Sequence, residues 1–566
     1  MTDKNRNFIA QNQEINAWSD VEPYLENLKN RTLNSVSDLH QWWADRSEIE
    51  AFLEENAAWR YIRMTCDTTD KSLSDSFNFF VTEIEPRAAE YADVLDKKLL
   101  ENPFLAELDT KKYFVPLRSM KRAVEIFRSE NIPIFAELQQ LQQQFGAISS
   151  AMTIEVEGKT LTLQQAANYL KNTDREIRKN VYEKIGQRRA QDEHTLNELL
   201  SGLIEKRHKV ALNAGFENFR DYQFAALKRF DYTVADNFEF HNSIKESVLP
   251  LVEKMAQKRK TELGYDSLKP YDLQVDTSGK PALKPFETGE ELLEKSIRVF
   301  TKIRPQYGAY LETMKLENYL DLDSRIGKAP GGYNYPLYES NIPFIFMNAA
   351  GNVRDLETMM HEGGHAVHSF LSSDLELVDF KSLPSEVAEL ASMSMELISM
   401  DYRDEFFENP DDTRRAKRAQ LEGAIETLTW VAIVDKFQHK LYTNPTHTVA
   451  EREQMWLDVL NEFSEKITDW SGFENFRKIM WQKQLHIFEV PFYYVEYAIA
   501  QLGAIAVWRN YKQNPEKGLN AYESALKLGY SKPIPEIYET AGIRFDFSKN
   551  YIGELMEFVW QELEKL

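Results

Sequence analysis

Apolar residues recur at three- and four-residue steps along most of the chain, the period of an amphipathic helix. The clearest stretches are Asp75–Leu100, Ile177–Leu212 and Arg414–Leu441. A break or kink is expected at Pro86, because proline lacks the N–H that the helix ladder uses. Three segments depart from this period. Thr153–Leu163 alternates apolar and polar positions around Glu157-Gly158, which predicts a hairpin. Tyr265–Phe286 holds three prolines and Gly279 and predicts a long crossing loop. Thr288 with Glu291 then predicts a capping box for the next helix. Ala329–Asn348 opens on Ala-Pro-Gly-Gly and closes on the apolar run Pro343–Met347, which predicts a strand just upstream of another helix. The fold class is therefore mainly α with a small β element. Without repeats or low-complexity tracts, we place a domain boundary near residue 195. It separates an N-terminal helical lobe, 1–195, carrying the hairpin near 153–163, from a larger helical lobe, 196–566.

Composition narrows the function. The formal net charge of −22 repels phosphate backbones and anionic lipid, so neither nucleic acid nor membrane is expected as a partner. Cys66 is the sole cysteine and can neither staple the fold nor build a thiolate metal cluster. The first seven residues, Met-Thr-Asp-Lys-Asn-Arg-Asn, lead into no apolar segment, and Tyr497–Trp508 is too short to span a bilayer. A cytoplasmic location is the expectation; the oligomeric state is left open.

The chemistry centres on His361-Glu362-Gly363-Gly364-His365. On a helix, His361 and His365 lie one turn apart on one face, so both imidazoles can reach one cation. Glu362 is turned about 100° from His361. It flanks the metal, where it can act as general base toward water. Leu356, Met360, Val367 and Leu371 share one stripe of this helix, while His361, His365 and His368 fall on another. Gly363 and Gly364 each cost about 1 kcal/mol in a helix interior, which points to a close approach at that backbone.

A catalytic zinc takes three protein ligands and keeps one position open. The spacings of two common zinc-peptidase arrangements would place the third ligand at Pro384 or Ser385, and a three-histidine site would need histidine where Leu371 stands. The candidates are Glu386 and Glu389 on a helix whose first turn is marked by Pro384. Glu386 suits the helix dipole. Glu389, among Ala388, Leu390 and Ala391, needs a partner for its charge, and a metal supplies one. Glu396, two turns on, either orients a ligand histidine or is a surface residue; His368 is either functional or packing.

At this point the sequence resembles the oligoendopeptidase F branch of the thimet-oligopeptidase-like metallopeptidases. The residues that carry the resemblance are His361–His368, Val387–Glu396, Pro343–Asn348 and Asp355–Thr358, with Asp174–Arg178, Tyr271–Leu273, His486 and Phe492–Tyr497. The combination of the zinc motif with a glutamate 24 positions after His365 is specific to that family. The resemblance implies a two-lobed helical body around a deep channel with one zinc at its base. It implies a metalloendopeptidase that uses metal-activated water on internal bonds of short unstructured peptides. A zinc carboxypeptidase and a silent peptide-binding protein are the alternatives. Gly363 departs from the family, where that position is bulky and apolar.

Two expectations concern substrate. Ile342–Met347 is read as a strand with a free edge for an extended peptide. Tyr497 and Tyr494, near His486 in the segment that the resemblance places opposite the zinc helix, are read as donors to the developing oxyanion.

Overall fold

The computed structural model describes residues 6–566, and 69% of the chain is helical. The polar start of the sequence, Met1–Asn5, lies outside the described residues. Among the described residues no helix is long and apolar enough to cross a membrane.

The chain forms two compact, discontinuous units: Met1–Glu125 with Lys284–Lys417 and Ala500–Phe545, and Ile126–Leu283 with Arg418–Ile499 and Asp546–Leu566. A single boundary near 195 does not describe them. Residue 195 lies inside the helix Glu193–Asn213, whose Leu199, Leu200 and Leu203 are buried, so nothing separates the chain there.

In the second unit the hairpin pairs β1, Thr153–Val156, with β2, Lys159–Thr162, antiparallel. Glu157 and Gly158 turn it with φ of 51° and 76°, as a two-residue loop matched to strand twist requires. Ile154 and Val156 close over Ala166, Leu170 and Val181. The loop after Tyr265 is fastened by Asp272, which accepts from Arg175 at 2.7 Å and from the fully buried Arg178 at 2.8 Å. The two segments 174–178 and 271–273 thus meet in one charge-assisted clasp.

In the first unit, the helix Val36–Cys66 puts Leu39, Trp42, Trp43 and Phe52 into a core shared with Leu377 and Phe380. The segment around Pro86 is two helices, Lys71–Phe79 and Glu85–Leu100, joined by a π-turn at Phe80–Ile84. Pro86 sits in the first turn of the second, where its missing N–H costs nothing. Thr288 caps the helix Gly289–Ile303 as expected, but the Glu291 carboxylate accepts from the Glu287 N–H rather than closing the box on Thr288.

The sheet that leads to the metal motif has three strands: β3, Leu320–Asp323; β4, Tyr333–Tyr335; and β5, Phe344–Ala349. β5 lies in the middle, parallel to β3 and antiparallel to β4. The segment Ile342–Met347 therefore offers no free edge, because both sides of β5 are paired. Its Phe344, Ile345, Phe346 and Met347 are all buried, as a central strand demands. The edges of this sheet are β3 and β4.

Candidate metal centre

β5 runs directly into the helix Val353–Leu371, which starts on a reciprocal box. The Asn352 side chain accepts from the Asp355 N–H, and the Asp355 carboxylate accepts from Asn352 and Ala350. Leu356, Met360 and Val367 are fully buried, which fixes the rotation of the helix and turns His361 and His365 toward the helix Ser385–Ser399.

Gly364 sets how closely these two helices approach. A Cβ there would stand 2.7 Å from the Ser392 Cα and 3.0 Å from the Ala391 carbonyl oxygen, both backbone atoms that cannot step aside. Gly363 faces elsewhere, and a Cβ on it would meet the Phe300 ring at 2.4 Å. Phe300, from the helix Gly289–Ile303, fills the space that a bulky residue at 363 would take. Gly364→Ala is expected to push the helices apart, lower the melting temperature by about 1–3 °C, as about 1–3 kcal/mol of overpacking does in a chain this long, and reduce zinc occupancy with it. Calorimetry and metal analysis of the variant check this; an unchanged melting temperature with full zinc would remove Gly364 from the account.

The approach brings three donor atoms together. Glu389 Oε2 lies 3.2 Å from His361 Nε2 and 3.7 Å from His365 Nε2. Among the described residues, His361, His365 and Glu389 form the one cluster whose donors suit a cation, all within 4.8 Å of one another. Ligands of a tetrahedral zinc at 2.0–2.1 Å stand about 3.3 Å apart, close to both distances from Glu389, and two imidazoles with a carboxylate are donors that this ion takes. Glu386, the rival, is buried one turn earlier; its backbone carbonyl accepts from the Tyr538 hydroxyl at 3.1 Å.

Two of the three donors are already in the protonation state of a ligand. Burial alone would raise Glu389, but the hydrogen bond with His361, the charges of His365 and His361, and the Ser392 hydroxyl hold its carboxyl down at about 2. Burial lowers His365 to about 4 and leaves it neutral. His361 is opposite: burial would lower it, yet Glu389 and Glu396 raise it well above its ordinary value. Glu396 Oε1 lies 2.7 Å from His361 Nδ1, so it fixes the ring with Nε2 toward Glu389. Of the two readings of Glu396, orientation of a ligand histidine is the one with this contact.

Glu362 does not join the cluster. It is buried on the β4 side, where the Asn334 side-chain amide donates to its backbone carbonyl at 3.2 Å. Burial pushes its carboxyl up to about 7; Glu389 and Glu396 add to the rise, and His361 and the Asn334 backbone N–H oppose it. A carboxyl tuned near neutrality is what a general base needs. His368 is buried, and burial lowers its pKa to about 3, with the Leu526 backbone opposing.

His486, Tyr494 and Tyr497 belong to the second unit and cluster there. The His486 ring lies 4.6 Å from that of Tyr494 and 5.8 Å from that of Tyr497, and the two tyrosine rings are 5.6 Å apart. All three are half-buried rather than core. Tyr494 precedes the helix Val495–Gln513 and Tyr497 lies in its first turn. What the sequence did not disclose is how this segment is held. Phe492 sits at φ 68°, a left-handed conformation that a bulky residue rarely adopts. Its N–H donates to Gln438 at 2.8 Å and its carbonyl accepts from Arg229, whose guanidinium also pairs with buried Glu496 at 2.8 Å. Strain of about 1–3 kcal/mol held by such contacts is found where position matters.

The chain resembles known proteins along most of its length. The profile of peptidase family M3 matches residues 168–557, and that of the peptidase M3 N-terminal domain matches residues 11–127. Oligopeptidase PepF of Bacillus subtilis strain 168 is 22% identical, over 94% of this chain and 81% of its own. An oligoendopeptidase F homolog of Borreliella burgdorferi is 24% identical, over 86% of this chain and 83% of its own. Among solved structures, PZ peptidase A with an inhibitor has a TM-score of 0.88 at 25% identity, covering 96% of each chain. Oligoendopeptidase F from Enterococcus faecium shares the fold at a TM-score of 0.65 and 17% identity, covering 97% of each.

Proposed function

Because this chain belongs to peptidase family M3, and is therefore a metallopeptidase, we propose that it cuts internal bonds of short, unstructured oligopeptides with one zinc ion held by His361, His365 and Glu389. The observation that carries this reading is the convergence of the three donor atoms, with a buried carboxylate beside them that is not a ligand. Zinc bound there would supply Lewis-acid chemistry, bringing the pKa of water to about 7 and polarising the scissile carbonyl.

The chain's own residues do the rest. Glu389 brings a charge that is already ionised, and Glu396 holds the His361 tautomer. Glu362 takes the proton of the attacking water and returns it to the leaving nitrogen. The test is a quenched peptide blocked at both ends. Cleavage that follows zinc content supports an endopeptidase; attack only on peptides with a free carboxyl terminus would favour a carboxypeptidase instead.

The state of His361 gives a pH dependence. A proton held on His361 in the metal-free protein competes with zinc, so affinity should rise with pH until that proton has left. Competition titrations from pH 6 to 8 should show a rise of about tenfold per unit below the His361 pKa, flattening above it. A constant affinity over that range would mean that His361 holds no proton in the metal-free protein.

Tyr497 is the proposed donor to the carbonyl oxygen as charge builds there, with Tyr494 and His486 beside it. Its phenol donates at neutral pH and it stands on a segment fixed by Gln438 and Arg229. Tyr497→Phe is expected to fold normally, keep zinc and lose about 10²–10³ in kcat with KM nearly unchanged; Tyr494→Phe should lose less. Unchanged kcat in both variants would return the tyrosines to a packing role.

A further inference from the structure

A cavity of about 250 Å³ opens beside His365, lined also by Asn334, Asn341, His368 and Lys381. That is smaller than the pockets of about 300–1,000 Å³ that enclose whole small ligands, and it suits one side chain. Lys381 is the only Lys, Arg, Asp or Glu side chain in its wall. In a chain with 90 acidic residues against 68 basic ones, an acid-free pocket with a single cation is a distinct chemical environment.

The ammonium is undersupplied with partners. It donates to Asn341 Oδ1 at 3.3 Å and forms no ion pair with a described residue. Burial lowers its pKa from the ordinary lysine value, with Asp374 opposing at longer range. A half-buried cation without a counter-charge is costly, and a carboxylate entering the cavity would relieve it. The serine hydroxyls that line the pocket on the zinc helix and just after it do not compete for this role. Ser369, Ser372 and Ser373 donate to the carbonyls of His365, His368 and Phe370. Leu337 and Leu383 supply apolar wall for the stem of a glutamate.

We propose that this cavity binds an acidic side chain of the substrate next to the scissile bond, with Lys381 as the residue that selects it. The inference rests on reading the neighbouring centre as that of a peptidase. The test uses the zinc-loaded enzyme and end-blocked quenched peptides that differ only in Glu, Gln or Lys at each position flanking the cleaved bond. At one position kcat/KM should favour Glu over Gln by about 10–100-fold, the size of a hydrogen-bonded charge pair, with Lys last. Lys381→Met should collapse the Glu:Gln ratio toward one, and Lys381→Glu should place Lys above Glu. Cleavage of the Gln peptides without any Glu preference would overturn the pocket and leave the peptidase reading standing, as would variants that keep the wild-type order. If the zinc-loaded enzyme cleaves no peptide of the set, the peptidase reading fails and the pocket with it.

Discussion

Glu362→Gln is expected to bind one zinc per chain and to lose about 10²–10⁴ in kcat, the usual contribution of a positioned base. Glutamine keeps the volume of the buried side chain, so the helix Val353–Leu371 and the three donors should stay in place. What it loses is the ability to take a proton. The position is also tuned for that task, since burial pushes the carboxyl up to about 7. The measurement is kcat beside metal content on the same preparation. Near-normal turnover with stoichiometric zinc would assign the base elsewhere.

Glu389→Ala is expected to empty the site. It removes the only charged donor and leaves His361 and His365 with no third ligand, so zinc should be absent after gel filtration and activity with it. Two companions make the result specific. Glu386→Ala removes the rival carboxylate one turn earlier and should keep zinc. Glu396→Gln should lie between, because loss of a group that orients a ligand histidine typically costs about 10–100-fold in metal affinity. Zinc retained in Glu389→Ala but lost in Glu386→Ala would reverse the assignment of the third ligand.

Much of this centre was legible in the sequence because its signals are local. Histidines one turn apart, an apolar stripe on another face and an apolar run ahead of them are read within thirty residues. Glu389 could be chosen over Glu386 because its neighbours, Ala388, Leu390 and Ala391, leave a charge without company. The hairpin was legible for the same reason, since Glu157-Gly158 specifies its own turn.

What stayed hidden depends on distant parts of the chain. Whether β5 has a free edge is decided by β3 and β4, which carry little pattern of their own at four and three residues. Gly363 looks like a departure from the family until Phe300 is seen filling its place. The compact units are assembled from separated stretches, so no linker composition marks them. The fixing of Phe492 by Arg229 and Gln438, and the placing of Lys381 beside His365, join residues that no periodicity relates.

The most direct test of the central claim is anomalous diffraction from a crystal of the zinc-loaded protein, recorded on both sides of the zinc absorption edge. One strong peak per chain is expected, about 2 Å from His361 Nε2, His365 Nε2 and a Glu389 carboxylate oxygen. A peak centred anywhere else, or none at these three residues in a protein that cleaves peptides, would contradict it.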